Sequence, residues 1–151
     1  MNRFLKFGLI AVLVSSGTLG FSFGKASASE RVHLSPFMVN VIEDGGKKTG
    51  QLPISVYLDL KDVESARYVC GIAPRIRAQI TRNLVSDRYQ LDRKGRLPLA
   101  KIRLKLWPIA YRVIKNVKLQ NMLVAQGTGK VSSSEARMFT RRGCRRLSKG
   151  K

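Results

Sequence analysis

The chain has 151 residues, with 29 Lys and Arg against 9 Asp and Glu and a formal net charge of +20. That length holds one domain with a real core but not a two-domain enzyme, and 44% hydrophobic with 25% charged residues is globular rather than disordered composition. Two cysteines and one histidine are too few for a zinc site, a haem site or a Cys/His catalytic pair of standard spacing, and a polytopic membrane protein is excluded.

Arg3 and Lys6 form a short positive segment, Phe7 to Phe23 carries no charge, and Ala26-Ser27-Ala28 is a small-x-small site of the kind read by signal peptidase. Residues 1–28 therefore read as a signal peptide cut after Ala28. The alternative is an uncleaved anchor, although Ser15, Ser16, Gly17, Thr18 and Gly20 dilute an apolar run shorter than the ~20 residues a spanning helix needs. In both cases Glu30 onward lies outside the cytoplasm. The expected location is the bacterial periplasm or its equivalent, with attachment to the inner membrane if the segment is retained.

Without the three cations of the first 28 residues, 26 basic and 9 acidic residues leave +17, and they are unevenly placed. Residues 29–65 carry four basic and six acidic side chains, whereas residues 66–151 carry 22 and three. In the cytosol such a field points to nucleic acid. Export moves nucleic acid down the list and brings forward lipid headgroups, lipopolysaccharide, wall polymers and acidic protein surfaces.

The run Phe37-Met38-Val39-Asn40-Val41-Ile42 reads as a first strand, closed by the polar, glycine-containing turn from Glu43 to Lys48. Leu52, Ile54, Val56, Leu58 and Leu60 then alternate with Pro53, Ser55, Tyr57, Asp59 and Lys61. This period of two predicts a second strand, antiparallel to the first, with one face buried and the other in solvent. Pro53 falls at its beginning, where a missing N–H is tolerated.

From Val63 the period changes. Ala66, Val69, Ile72, Ala73, Ile76, Ile80 and Leu84 share one side of a helical wheel, with Asp62 as N-cap. Gly71 and Pro74 should divide this stretch, giving a short helix and then a second from about Pro74 to Ser86. Asp87 to Gly95 is polar and predicts an irregular connection. Lys101 to Leu106 alternates like a strand, but the longer window favours a helix. Leu99, Ile102, Leu106, Ile109, Ala110 and Val113 fall in one sector, and Lys101, Lys105, Arg112 and Lys115 in the opposite one. Pro108 predicts a kink near Leu104. Val117 to Ala125 reads as a third strand, so the expected class is α+β, a small antiparallel or mixed sheet packed by two to three helices in the order β-β-α-α-β.

Leu34-Ser35-Pro36-Phe37-Met38-Val39-Asn40-Val41 resembles the Pro-Phe-x-Val-Asn strand opening of the flagellar basal-body-associated FliL family. Ala73-Pro74-Arg75-Ile76-Arg77-Ala78-Gln79-Ile80 is similar to that family's Pro-x-Ile-Arg-x-x-Ile/Leu helix, Leu84 to Tyr89 to the segment after it, and Val117 to Ala125 to its closing strand. The resemblance spans residues 34–126 within a domain of 29–126, and describes a diverged, exported relative. It implies a stomatin-like packing of helices on a small sheet, and a non-catalytic role at the rotary motor beside stator or basal-body proteins. Assembly into rings, and so a homo-oligomer, is also implied.

Two basic groups are candidate binding residues. Lys101, Lys105, Arg112 and Lys115 form a stripe that could meet an acidic protein face or anionic headgroups, with Trp107 and Tyr111 beside it as interfacial anchors or core aromatics. Arg141, Arg142, Arg145 and Arg146 belong to residues 127–151, a stretch without apolar periodicity that reads as a flexible basic tail. Cys70 and Cys144 could pair in an oxidising compartment, or Cys70 could be a small buried hydrophobe, leaving Cys144 to bridge two chains.

Catalytic readings have little support. Glu43, Asp44, Asp59, Asp62 and Glu64 read as solvated residues around the second strand, and His33 as exposed. No phosphate loop or nucleophile elbow is present, and no cofactor is expected. Two functions remain: a FliL-like accessory protein of the flagellar motor, and a cationic periplasmic module that binds polyanions independently of motility.

Overall fold

The computed structural model describes residues 29–43, 46, 48–129 and 142–148. Residues 1–28, expected to be a signal peptide, and Asp44 and Arg141 lie outside the described residues. The elements are β1 (Glu30–Glu43), β2 (Lys48–Leu60), α1 (Val63–Gly71), α2 (Ala73–Val85), β3 (Arg88–Gln90), α3 (Leu99–Val113), β4 (Leu119–Gln126) and β5 (Cys144–Ser148). The class is α+β: a mixed sheet in the order β3-β1-β2-β4, with β5 also on β1, packed by three helices.

β1 begins seven residues before the expected Phe37, and a bulge explains why. Leu34 faces Val56 while Phe37 faces Ile54, so β1 spends three residues where β2 spends two. The extra residue reverses the side-chain parity. Val32 and Leu34 before it, and Phe37, Val39 and Val41 after it, are all buried in one core. A strict alternation read backwards from Phe37 fails at that point, although the strand continues.

On β2 the aliphatic set Ile54, Val56, Leu58 and Leu60 is buried as the period of two requires. The other face, expected in solvent, is partly covered: Ser55 and Asp59 are buried as well. Asp62 caps α1, its Oδ1 accepting from the Ser65 N–H at 2.8 Å. The helical stretch divides at Ile72, and Pro74 stands in the first turn of α2, where its missing N–H has no intrahelical role. Ile102, Leu106 and Ala110 seat α3 against the core, and the helix runs through Pro108.

Two expectations need correction. The connection from Asp87 to Gly95 contains β3, which pairs parallel to β1 through Asn40, Val41 and Ile42. Three residues are too few to show a period, and Tyr89 is buried only because a distant strand receives it. The tail expected to be flexible contains β5, antiparallel to β1 from Glu30 to Leu34. Its residues Cys-Arg-Arg-Leu-Ser lack an apolar alternation because the strand is held by the edge of β1 and by Cys144, not by a hydrophobic face. β5 and β3 together occupy the same edge of β1, and between them the Ser35 N–H donates to the Gly143 carbonyl at 2.9 Å. That edge, which would otherwise offer unpaired backbone groups, is thereby satisfied.

Candidate functional site

The stripe on α3 separates into three exposed cations and one that is engaged. Lys101 and Arg112 are exposed on α3, and Lys115 is exposed just beyond its end. Lys105 turns inward: its Nζ forms an ion pair with Asp87 and donates to the Asn83 carbonyl at 3.3 Å, tying α3 to the end of α2. Asp87 also accepts from the Tyr89 hydroxyl at 2.9 Å. The Lys105 hydrogen bond holds the Asp87 carboxyl below its ordinary range, whereas burial and then Asp87 push the Tyr89 phenol up.

Beside the exposed cations, Leu104 is 75% exposed and Tyr111 59% exposed. At 100° per residue these two and the half-buried Trp107 form an apolar strip next to Lys101, Arg112 and Lys115, with the exposed Arg103 on its other side. Trp107 packs partly against the core, so of the two aromatics only Tyr111 stands fully at the surface.

The second basic group lies elsewhere. α3 packs on β4 at one edge of the sheet, and β5 pairs with β1 on the other side of β2. The two groups therefore form separate surfaces. Cys70, near the end of α1, forms a disulfide with Cys144, the first residue of β5, with Cα atoms 5.4 Å apart and a sequence separation of 74. Arg142 is exposed and reaches the Gly71 carbonyl at 3.4 Å, Arg146 is exposed, and Arg145 is half-buried opposite His33 in the register.

The sheet face away from the helices holds a cluster that sequence reasoning missed. His33, expected at the surface, is 2% exposed and stacks on Tyr57, its cross-strand partner, with ring centroids 4.3 Å apart. Burial, and then the charge of Arg145, lower the His33 pKa to about 4, so the ring is neutral near pH 7. Arg31 grips Asp59 through Nε to Oδ1 at 2.6 Å and Nη2 to Oδ2 at 3.1 Å. That two-pronged hydrogen bond is the main reason the Arg31 pKa is raised. Ser55 donates from Oγ to the Gly127 carbonyl at 3.0 Å. The available signal was the alternation of β2 itself, which places Ser55, Tyr57 and Asp59 on one face. What was missing was the material beside and over them: Arg31 and His33 of β1, and the Gly127–Gly129 segment after β4.

Among the described residues no group of three or more His, Cys, Asp or Glu is placed to hold a metal ion. Asp59 is engaged by Arg31, and the Ser55 hydroxyl proton is directed to a carbonyl, an arrangement that ties strands together rather than one that activates a nucleophile. Most of the exposed charge of the described surface is cationic. No family model, curated protein or solved structure matches the chain.

Proposed function

We propose that this chain is a non-catalytic accessory protein of the bacterial flagellar basal body and motor, FliL-like, acting in the periplasm beside stator or envelope components. The observation that carries this reading is where the FliL-like segments fall. Pro36-Phe37 sits at the β1 bulge, Ala73 to Ile80 lies in α2, and Leu119 to Ala125 lies in β4, all within one sheet packed by helices.

Asn40 of the strand motif has a defined role in that packing. Its Nδ2 donates to the Val85 carbonyl at the end of α2 at 3.0 Å, and its Oδ1 accepts from Gln51 at 3.1 Å. One side chain thus joins β1, β2 and α2. The Cys70–Cys144 disulfide fits an oxidising compartment. A clean deletion tested for swimming in soft agar checks the proposal. Impaired swimming with flagella still assembled, restored by the full-length gene, is the expected result, and unimpaired swimming overturns it.

The second reading, a cationic module that binds envelope polyanions, is favoured by one observation: Lys101, Arg103, Arg112 and Lys115 flank an exposed apolar strip on α3. Salt-sensitive retention on anionic vesicles, with swimming unchanged in the deletion, would select it.

A further inference from the structure

A cleft between α2 and the turn entering β5 is lined by Pro74, Arg77, Ala78, Thr81, Arg82 and Arg142. Three of these six are arginines, and none is acidic. Gathering three guanidinium groups without a counter-charge is electrostatically unfavourable, and an anion seated among them would remove the repulsion. Among the described residues neither Arg77 nor Arg82 has an ion-pair partner.

Arg77 is held in place from two sides. Its guanidinium carbon lies 5.5 Å from the centroid of the Phe37 ring, and its Nη1 sits so close over Gly143 that a Cβ there would collide with it. The Nε of Arg77 is buried and makes no hydrogen bond. Closed to solvent, that nitrogen shows that packing on Phe37 and against the Gly143 turn, not a hydrogen bond from Nε, sets the Arg77 side chain. Arg142, on the opposite wall, is fixed through the Gly71 carbonyl. The Cys70–Cys144 disulfide lies next to both Gly71 and Gly143 in sequence, so the two walls are covalently joined. Pro74 in the first turn of α2 adds the positive end of a 13-residue helix.

We propose that this cleft is a binding site for a phosphate group, carried either by a lipid headgroup or by a small soluble phosphomonoester. Phosphate fits better than carboxylate because it brings up to two negative charges and several acceptor oxygens to three planar donor forks. The site stands on residues separate from the α3 stripe and does not depend on the flagellar reading.

The test uses the full exported chain and inorganic phosphate, titrated calorimetrically at constant ionic strength. Arg77 is left intact because it packs on Phe37. R82Q/R142Q removes two charges from the cleft, and R93Q/K118Q removes two exposed charges that lie in neither the cleft nor the α3 stripe, as a control for overall charge. Saturable phosphate binding should weaken about tenfold or more in the first variant and less than about twofold in the second. Equal weakening in both, or no saturable binding beyond that of chloride, overturns the proposal. Vesicles of phosphatidic acid in phosphatidylcholine then distinguish the sources. Vesicle binding that R82Q/R142Q weakens and free phosphate competitively reduces assigns a lipid phosphate, and vesicle binding indifferent to both assigns a soluble one.

Discussion

Cys70 and Cys144 join the end of α1 to the start of β5, so that the last described strand is fastened to a helix that follows the central hairpin. Loop-closure entropy for a bridge spanning 74 residues corresponds to about 4 kcal/mol of stabilisation. Urea unfolding of C70A/C144A should therefore show an unfolding free energy lowered by roughly that amount and a correspondingly lower midpoint, with β5 the first segment to lose amide protection from hydrogen exchange. An unchanged midpoint would show that β5 is held by its pairing with β1 alone.

His33 makes stability depend on pH in a window of its own. Its pKa in the folded chain is about 4, below the ordinary 6.5, so the unfolded chain binds the extra proton. The stabilising contribution is complete above pH ~6.5 and is lost as pH falls toward ~4, with a slope approaching about 1.4 kcal/mol per pH unit for one proton. Asp62, Asp87 and Asp92, whose pKa values are lowered by hydrogen bonds, give up their contributions only at more acid pH. Unfolding midpoints measured between pH 7.5 and 4.5 should decline in the wild type and stay nearly level in H33Q.

Much of this architecture was legible in the residues, because the larger elements follow local rules. Leu52 to Leu60 alternates, Ala66 to Leu84 follows the helical period, and Asp62, Gly71 and Pro74 mark boundaries that are found where cap and proline chemistry put them. β3, β5 and the early part of β1 were not legible, since each exists through a long-range relationship. Tyr89 is buried by a parallel strand 48 positions earlier, Cys144 by a disulfide to α1, and Leu34 by a bulge that inverts the parity of its neighbours. The candidate site divides in the same way. The exposed cations of α3 follow from a helical wheel, whereas the inward turn of Lys105 depends on Asp87 between α2 and β3, and the arginine cleft on a turn that the disulfide and the pairing of β5 with β1 bring to α2.

Gly143 and Gly95 both have positive φ, +70° and +69°, but they differ in what surrounds them. A Cβ at Gly95 would meet nothing within 4 Å, so Gly95→Ala should cost only the conformational penalty of about 1 kcal/mol. At Gly143 a Cβ would collide with Arg77 Nη1 and lie 2.9 Å from Ser35 Oγ. Gly143→Ala should add a packing cost of about 1–3 kcal/mol to the conformational one, and thermal melts of the two variants side by side measure the difference.

The Asp87–Lys105 pair is partly exposed, with 29% and 37% of the two side chains accessible, so solvent screens it. Its worth as an ion pair is about 0.2–1 kcal/mol. Asp87→Asn retains an acceptor for Tyr89 and Lys105 but removes the charge. It should lower stability by no more than that amount, and the loss should shrink in 1 M salt. A double-mutant cycle with Lys105→Met isolates the coupling.

The outer face of α3 separates the two functional readings. If Lys101, Arg112 and Lys115 rest on an anionic surface, each contributes about 1 kcal/mol, and K101Q/R112Q/K115Q should bind anionic vesicles roughly 100-fold more weakly. Leu104→Ser should weaken binding as well, because an exposed aliphatic side chain beside cations contributes by entering the headgroup boundary. Both effects on vesicles, together with normal swimming of cells carrying either variant, would place this surface in envelope binding. Reduced swimming with unchanged vesicle affinity would instead make the same face a protein contact at the motor, where Leu104 and Tyr111 supply the apolar centre and the flanking cations the orientation.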